Sequence, residues 1–425
     1  MSILVQKFGG TSLADVERIQ SAAAIIESAV QQGFKVVAVA SAMGDTTDDL
    51  LRMTNGFDLS RSKRELDMLL ATGEQISASL LAMALQSRSV AAEALSGAQA
   101  GIVTDSLHGS ATIKTIKTDR IHEGLDKGKV IVVTGYQGVD GHHDVTTLGR
   151  GGSDTTAVAL ARALRAERCD IYTDVDGVYS ADPRVVRHAQ KLQQIPVGKL
   201  LTLAEFGAQV MASSSMALAA KSCLALRVRS AFAPSDPGTL IFEGKDLSPF
   251  YGVAVDAEQD VFVLRPGDSI SEMEKQAALI RQLREHGVQT EIMHRIKRRP
   301  NPTGIYLSTS DKHVFESKIL VPKRCQELGV LAVHKGALSK VTAVGNFSDI
   351  NDTIRHVLIT LMRAKVSVLY WSASDDSRVS VMVPRDQVAQ ATNIVHDSFI
   401  EGSRPKQSAF SSGASDFTRT GITVA

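Results

Sequence analysis

The chain begins with a short segment whose residue types suit phosphate binding. Lys7-Phe8-Gly9-Gly10-Thr11-Ser12 follows a short apolar run and precedes a helix-patterned segment, which predicts a strand, a glycine turn and a helix. Paired glycines let the backbone approach a phosphate, and the Lys7 ammonium and N–H groups at a helix start add positive potential. The lysine precedes the glycines, so this is not a Walker A loop. Taken alone, the segment is equally consistent with an ordinary strand-to-helix turn.

Two further segments carry groups suited to a small amino acid. Ser41 and Thr47 follow the strand-like run 36–39, at the carboxyl end of a strand, where open α/β sheets bind ligands. Glu74 stands beside a glycine at the start of a predicted helix, and its carboxylate suits a substrate ammonium. The alternatives are a turn or N-cap at Ser41 to Thr47 and a helix-capping role for Glu74.

The most specific run in the sequence is Thr146-Thr147-Leu148-Gly149-Arg150-Gly151-Gly152-Ser153-Asp154. Its glycines permit close approach of the backbone to a ligand, and Arg150 offers a planar fork that suits a carboxylate. Ser153 and Asp154 come directly before an apolar helical stripe, so we expect them to cap that helix while facing the same pocket.

A turn-rich loop follows the strand-like run at residue 171 and offers contacts for a nucleotide. Thr173 and Asp174 suit polar groups, Tyr179 suits a base or ribose, and Arg184 suits a phosphate. The Asp-Gly and Asp-Pro pairs alone would predict only turns. Together the four segments favour phosphoryl transfer, a chemistry that needs positioning and charge neutralisation more than a covalent nucleophile.

The elements that must position these groups follow an α/β pattern. From residue 1 to about 245, Val-rich strand-like runs alternate with helix-patterned segments, which predicts a mainly parallel sheet covered by helices on both faces. We place a linker near residues 243–250. Beyond it, residues 250–335 and 336–403 each read as a βαββαβ-like unit, the second with a helix over 350–363 and strands over 366–371 and 379–383. We expect residues 404–425 to form a flexible tail.

Composition narrows the class of protein. The 425 residues suggest two or three domains, and 47 Lys and Arg residues nearly cancel 46 Asp and Glu residues. This balance removes any global electrostatic argument for binding nucleic acid or an acidic membrane. The three cysteines are far apart, which indicates neither a disulfide framework nor a zinc site, and no window approaches 18 uninterrupted apolar residues. We therefore expect a soluble cytoplasmic protein without a metal centre of its own.

The motifs together identify a resemblance. Through KFGGTS, SAMGDTTDDLL, ATGEQISASLLAMAL, TLGRGGSDTTAVALA and CDIYTDVDGVYSADPR, in this order, the chain resembles the aspartate kinases of the amino acid kinase superfamily. The resemblance implies a three-layer sandwich followed by two ACT-type regulatory domains. It also implies transfer of the γ-phosphoryl group of MgATP to the β-carboxylate of L-aspartate. The product would be 4-phospho-L-aspartate, made in the first step of the pathway to lysine, threonine and methionine.

The resemblance also implies roles for individual residues. Catalysis would fall to Lys7 and Asp154. Aspartate would be bound by Ser41, Thr47, Glu74, Arg150 and Ser153. The nucleotide would be contacted by Lys7, Phe8, Gly9, Gly10, Thr173, Asp174, Tyr179, Arg184 and Gln209. We expect a homodimer or higher homo-oligomer, with lysine or threonine as possible effectors at the ACT domains.

This sequence departs from the family pattern in two places. Gln209 stands where the family has a lysine that approaches ATP, in the run Gly207-Ala208-Gln209-Val210, and Ser213-Ser214 follows it. The effector segment of the second regulatory unit reads 371–380 as WSASDDSRVS instead of the usual Ser-x-Ser-Glu-Ile-x-Ile-Ser. Two rival hypotheses remain: a kinase that acts on another acidic substrate such as glutamate, and a catalytically weakened sensor that binds an amino acid through the C-terminal units.

Overall fold

The structure is a computed structural model that describes residues 1–59, 61–208, 211, 213–222, 224–245, 248–264, 270–285, 290–295, 305–309, 314–374 and 377–400. The chain forms two compact units. Unit 1 comprises Met1–Val178, Lys191–Leu201 and Gln209–Asp246. Unit 2 comprises the chain from Leu247 onward together with two earlier segments, Tyr179–Gln190 and Thr202–Ala208. The predicted tail lies outside the described residues, and the predicted domain boundaries stay predictions.

Unit 1 contains twelve described strands. They are β1 (Ile3–Phe8), β2 (Lys35–Ala40), β3 (Ala92–Leu95), β4 (Ile102–Thr104), β5 (Ile113–Ile116), β6 (Val130–Thr134), β7 (Gln137–Val139), β8 (Val145–Thr147), β9 (Arg168–Thr173), β10 (Gln194–Pro196), β11 (Leu226–Ser230) and β12 (Thr239–Phe242). Eight of them form one sheet in the order β10-β12-β11-β9-β1-β2-β6-β3. All its neighbouring pairs are parallel except β11 with β12. The predicted mainly parallel sheet is therefore confirmed.

The helices of this part of the chain are α1 (Val16–Gln31), α2 (Thr46–Met53), α3 (Lys63–Leu70), α4 (Thr72–Ser87), α5 (Asp119–Asp126), α6 (Gly152–Ala163), α7 (Val197–Glu205) and α8 (Ser213–Ala220). The helical run Lys63–Ser87 has the length and hydropathy of a membrane span, but half of its most apolar window is buried inside the protein. A core helix of a globular domain has the same properties.

The large sheet is covered on both faces. Leu4 and Phe8 of β1 pack with α1 and α4 in one apolar cluster. Because side chains alternate along a strand, Val5 and Lys7 point to the opposite face, where Lys7 reaches Asp154 of α6. Helices α1 and α4 therefore cover one face and α6 the other, which gives a three-layer sandwich. A second sheet of unit 1 has the order β5-β4-β7-β8.

Unit 2 is built from six strands and four helices of the C-terminal half. The strands are β13 (Phe250–Leu264), β14 (Thr290–Arg295), β15 (Ile305–Thr309), β16 (Ala332–Gly345), β17 (Tyr370–Ser374) and β18 (Arg378–Val383). The helices are α9 (Ile270–Glu285), α10 (Val314–Leu328), α11 (Ile350–Arg363) and α12 (Val388–Ile400). The strands close into an antiparallel barrel in the order β13-β15-β14-β17-β18-β16.

The two longest strands are shared by both halves of this barrel. The early part of β13, through Asp256, pairs with the late part of β16, and the part of β13 from Gln259 onward pairs with the early part of β16. A register shift separates these two parts. One core, around Phe262, lies with α9 and α10, and a larger core, around Val341, lies with α11 and α12. We call these halves the first and second lobes.

Candidate active site

The predicted site residues of unit 1 follow neighbouring strands of the large sheet. Strands β9, β1, β2 and β6 lie side by side and run parallel, so their carboxyl ends meet at one edge. The segments that begin at Gly9, Ser41, Gly135 and Asp174 leave the sheet at this edge. This is the edge at which open α/β sheets bind ligands.

Lys7 and Asp154 form the charged centre of this edge. The Lys7 Nζ lies 2.6 Å from Asp154 Oδ1, and both side chains are about one-eighth exposed, at 12% and 13%. Lys7 is near the end of β1, and Asp154 is in the first turn of α6. The ion pair fixes a partly buried ammonium at the sheet edge, where it can still be reached by an anion.

The glycine turn brings two strand ends together. Gly44 N donates to Gly10 O over 3.0 Å, and a Cβ on Gly10 would lie 3.0 Å from Ala42 O and 3.1 Å from Gly44 O. A larger residue at position 10 would push the segment after β2 away from the turn. Gly9 N donates to Tyr172 O, so this N–H is not free for a phosphate as the sequence suggested.

The helix predicted after the glycine turn does not begin directly at the glycines. Residues Gly10–Leu13 form a single 3₁₀ turn, and α1 starts only at Val16, where the Asp15 side chain accepts from Arg18 N. The Phe8 side chain is buried and stacks on Tyr172 with ring centroids 4.9 Å apart. Its ring therefore belongs to the core, and its carbonyl accepts from Ser41 N, so the predicted nucleotide contact at Phe8 is not supported by a free ring or carbonyl.

Glu74 is a buried carboxylate with one unpartnered oxygen. The side chain is 3% exposed; Ala42 N donates to Oε1 over 3.1 Å, while Oε2 has no hydrogen-bond partner among the described residues. Burial raises the pKa of Glu74 to about 7, against the lowering effect of backbone N–H groups. A buried acceptor without a partner is costly, and a ligand ammonium would satisfy it.

Ser41 is held by its backbone, which leaves its hydroxyl for a ligand. Ser41 N donates to Phe8 O over 3.1 Å, and the Ser77 hydroxyl donates to Ser41 O over 2.7 Å. Thr47 is half-buried in the first turn of α2, the helix that follows the same segment. Ser41 therefore lies with the glycine turn and Glu74. Thr47 belongs to the same chain segment as Ser41, but no contact in the described part of the chain places it beside them.

The Gly-Arg-Gly-Gly run forms a tight entry to α6. Gly149 and Gly151 have left-handed φ angles of 75° and 72°, which favour glycine. Ser153 is buried against Gly135, since a Cβ at position 135 would lie 2.7 Å from the Ser153 hydroxyl. Arg150 is exposed, and no carboxylate in the described part of the chain pairs with it.

A buried aspartate anchors the start of this run. Asp67 is fully buried, accepts from the Thr147 hydroxyl and from Gly109 N, and contacts His108 Nδ1 at 2.8 Å. This network ties β8 to α3 and to the loop before β5. The run therefore begins from a hydrogen-bonded anchor, and Arg150 follows three residues after Thr147.

The predicted nucleotide residues are divided between the two units. Thr173 ends β9 and its hydroxyl donates to Asp174, which is exposed at the same sheet edge as the Lys7 turn. Tyr179 and Arg184 belong to unit 2, where Arg184 is exposed and pairs with Asp182 at 2.8 Å. Gln209 lies outside the described residues.

Sequence reasoning missed three residues at this edge. Thr134, at the end of β6, has a buried hydroxyl with no partner among the described residues. Tyr136 adopts φ 68°, and burial raises its pKa above the ordinary value. Ser77 holds Ser41 from α4. The strand-end rule applied to β6, as it was to β2, would have found the first two.

Comparison with known proteins agrees with this geometry. The profile of the Amino acid kinase family matches residues 2–230. Aspartokinase 2 of Bacillus subtilis is 36% identical over 403 residues, which cover 94% of this chain and 98% of that protein.

Two solved structures of E. coli aspartokinase III share the fold. The structure in complex with aspartate and ADP has a TM-score of 0.76 at 23% identity and covers 93% of this chain and 99% of that one. The structure in complex with lysine and aspartate has a TM-score of 0.70 at 22% identity, with coverages of 94% and 99%. At these identities the two structures establish the fold, and the C-terminal barrel with its two lobes is consistent with the predicted ACT-like domains.

The profile match covers more than half of the chain, and the Bacillus relative aligns with nearly all of it. The chain belongs to the amino acid kinase family, among its aspartokinases.

Proposed function

We propose that the chain is an aspartate kinase, which transfers the γ-phosphoryl group of ATP to the β-carboxylate of L-aspartate and gives 4-phospho-L-aspartate. One observation carries the proposal: a buried Glu74 oxygen, without a hydrogen-bond partner in the described part of the chain, belongs to the same sheet edge as the Lys7–Asp154 pair and its glycine turn. A substrate that carries both an ammonium and a phosphoryl acceptor fits this combination. The extent of the similarity to aspartokinases supports the same reaction.

Aspartate supplies groups that match the residues around Glu74. Its ammonium pairs with the Glu74 carboxylate, which needs a cationic partner once it is ionised. Its α-carboxylate suits the exposed guanidinium of Arg150, which pairs with no carboxylate among the residues that the structure describes. The hydroxyls of Ser41, Thr47 and Ser153 complete the polar lining, and the β-carboxylate is left to face the glycine turn.

Transfer of the phosphoryl group depends on positioning the reactants and on neutralising the charge of the transferred group. A β-carboxylate oxygen attacks the γ-phosphorus, the bond from that phosphorus to the β,γ-bridging oxygen breaks, and ADP leaves. Lys7 neutralises the charge that spreads over the transferred group, and Asp154 holds the Lys7 ammonium in place. The first turn of α6 adds the positive end of a helix dipole.

ATP enters this proposal as its magnesium complex. Among the described residues no group of three or more His, Cys, Asp or Glu side chains could hold a metal ion. We propose that the ion enters as part of the nucleotide substrate, bound mainly by phosphate oxygens and water, as Mg²⁺ prefers. Thr173, Asp174, Tyr179, Arg184 and Gln209 are the proposed contacts to the nucleotide.

The C-terminal lobes suit regulation and assembly. We propose that lysine or threonine acts as an effector there, since an E. coli relative of the same fold is known in complex with lysine. We also propose a homodimer or higher homo-oligomer, and a cytoplasmic location, to which the buried, unpaired Cys169 and Cys325 are suited.

A coupled ADP-release assay tests the function. Initial rates are measured with MgATP and either L-aspartate or L-glutamate, each with and without lysine and threonine. We expect ADP release that depends on aspartate and is much slower with glutamate. Equal rates on the two amino acids would replace the proposed substrate, and no ADP release with either would overturn the function.

A further inference from the structure

One face of helix α12, the last described helix, contacts the loop 179–190 at three points. Residues Asn393, His396 and Asp397 are three and four positions apart, so they lie on the same side of the helix. Asn393 Nδ2 donates to Val185 O over 2.9 Å, and His188 Nδ1 lies 3.6 Å from Asp397 Oδ1. Both the loop and the helix belong to unit 2.

The contact between Ser180 and His396 is the buried centre of this interface. The Ser180 hydroxyl lies 2.8 Å from His396 Nε2, and the two residues are 2% and 0% exposed. His396 Nδ1 lies 3.2 Å from Asp397 Oδ1, and Gln190 N donates to the Ser180 oxygen over 2.9 Å. One arrangement satisfies every group: His396 donates from Nδ1 to Asp397 and accepts the Ser180 O–H at Nε2.

The backbone of the loop is fixed at the same residue. Val253 N of β13 donates to Ser180 O over 2.7 Å, and a Cβ on Gly252 would lie only 2.4 Å from that oxygen. Ser180 is therefore held by its carbonyl to β13 and by its hydroxyl to α12. It also closes the loop on itself, since Ser180 N donates to Gln190 O over 2.8 Å.

The loop held in this way carries two of the proposed nucleotide contacts. Tyr179 is adjacent to Ser180, and Arg184 is in the middle of the loop. We infer that His396 is a positioning residue for the nucleotide, acting through Ser180 to hold the loop 179–190 in its binding conformation. This inference rests on the proposed function.

Kinetics of His396→Ala and Ser180→Ala test the inference. Loss of one buried hydrogen bond of about 1–2 kcal/mol corresponds to a roughly 5- to 30-fold rise in the KM for ATP. The KM for aspartate should stay within about twofold, because the proposed aspartate contacts Glu74 and Arg150 belong to unit 1 and the hydrogen bonds of His396 and Ser180 lie within unit 2. His396→Gln, whose amide oxygen can accept from Ser180, should recover most of the affinity, and Ser180→Thr should retain it.

The matched control is Gln390→Ala, on the same helix. Gln390 is exposed and donates to Ala364 O instead of the loop, so this variant should keep the wild-type KM values. The double variant of His396→Ala and Ser180→Ala should be no worse than the more severe single variant, since both remove the same contact. A merely structural role would lower the active fraction, and hence kcat, without changing the KM for ATP.

Calorimetric binding of MgADP to the same variants separates this inference from the proposed function. A loss of ADP affinity that parallels the kinetic change supports the inference, and it does so even if the wild-type protein fails to phosphorylate aspartate. Unchanged ADP affinity in both Ser180→Ala and His396→Ala, or a rise in the aspartate KM that equals the rise for ATP, would overturn it.

Discussion

At the level of single residues, the proposed phosphoryl transfer depends on the Lys7 ammonium, which is held at an edge of the large sheet. Lys7 is 12% exposed and paired with Asp154, so it is ordered yet accessible. Its position near the end of β1 places it where a strand leaves the sheet, and it makes little contribution to the apolar core. Function and stability should therefore respond differently to its removal.

Lys7→Ala is expected to lower turnover by about two to three orders of magnitude, as removal of a single transition-state donor does elsewhere, with little change in melting temperature. Steady-state ADP release and thermal unfolding provide the measurements. The control is Lys35→Ala, which removes a lysine at the start of β2 that pairs with Asp126. Wild-type turnover in Lys7→Ala would remove Lys7 from the mechanism.

Ionisation of the Glu74 carboxyl should make aspartate binding depend on pH. Its pKa is raised to about 7, and only the ionised form pairs with an ammonium. The kcat/KM for aspartate should therefore fall roughly tenfold per pH unit below 7. Glu74→Gln should show a low, flat profile, and the surface variant Glu93→Gln should follow the wild type. A wild-type profile without an inflection between pH 6 and 8 would contradict the assignment.

The same shift has a consequence for stability. The folded-state pKa of Glu74 lies above the ordinary value of 4.5, so ionisation destabilises the substrate-free protein as pH rises from 4.5 through 7. The full effect corresponds to about 3 kcal/mol. Urea unfolding between pH 5 and 8 should show wild-type stability falling relative to Glu74→Gln, and aspartate should reverse the fall. Parallel pH curves for the two proteins would disprove this.

The residues at the site were predictable where a side chain suited to a charged ligand lies close to a glycine that marks a turn. Lys7, Glu74 and Asp154 stand beside glycines at strand or helix ends, and this made them visible. Ser77 could not be identified from the sequence, because a serine inside a helix is common in any α/β protein. Only the packing of α4 against the segment after β2 gives it a role.

At the scale of elements, strand sharing in unit 2 was hidden from the sequence. The sequence predicted separate strands near 261–264 and 341–344, whereas β13 and β16 are 15 and 14 residues long and each serves both lobes. Alternation of side chains gives no sign of which partner a long strand meets along its length, because register is set by tertiary pairing.

The predicted strand over 366–371 was wrong in its first half. Lys365 adopts a left-handed φ of 60°, and Val366 N donates to Leu361 O, which ends α11. The strand β17 starts only at Tyr370. Val366 is apolar because it packs in the core of the second lobe, and a period of two cannot distinguish that from a strand.

A buried charge cluster links strands of the two lobes. Glu291 of β14 pairs with Lys340 of β16 over 2.9 Å and with Arg378 of β18, and it accepts from Ser372 of β17. Burial alone would raise the pKa of Glu291, but the two cations and the hydrogen bonds outweigh burial and hold the pKa below its ordinary value. Removal of the carboxylate would take away the ion-pair partner that Lys340 and Arg378 share.

Glu291→Gln is therefore expected to destabilise the protein by about 3 kcal/mol at pH 7. Because the folded pKa is lowered, the contribution of Glu291 is present above the unfolded value near 4.5 and is lost as pH falls below it. Urea unfolding at pH 4 and pH 7 measures this. Asp352→Asn, which breaks an exposed pair with Arg355, should cost less than about 1 kcal/mol. Equal effects of the two variants would show that the cluster is not stabilising.

At the scale of the whole molecule, the chain alternates between its two units. Segments 179–190 and 202–208 belong to unit 2 although residues of unit 1 flank them in sequence. The first segment contains the proposed nucleotide contacts Tyr179 and Arg184. The second segment ends directly before a third proposed contact, Gln209. A sequence-based boundary near residue 245 could not reveal this, because compact units are defined by contacts made after folding.

Trapping of the reaction product tests whether the protein phosphorylates the β-carboxylate of aspartate. The protein is incubated with MgATP, L-aspartate and hydroxylamine, which converts an acyl phosphate to a hydroxamate, and the products are identified by mass spectrometry and NMR. We predict aspartate β-hydroxamate in a 1:1 ratio to ADP, and neither product in Lys7→Ala over the same time. ADP formed without the hydroxamate, or a hydroxamate on the α-carboxylate, would contradict the account.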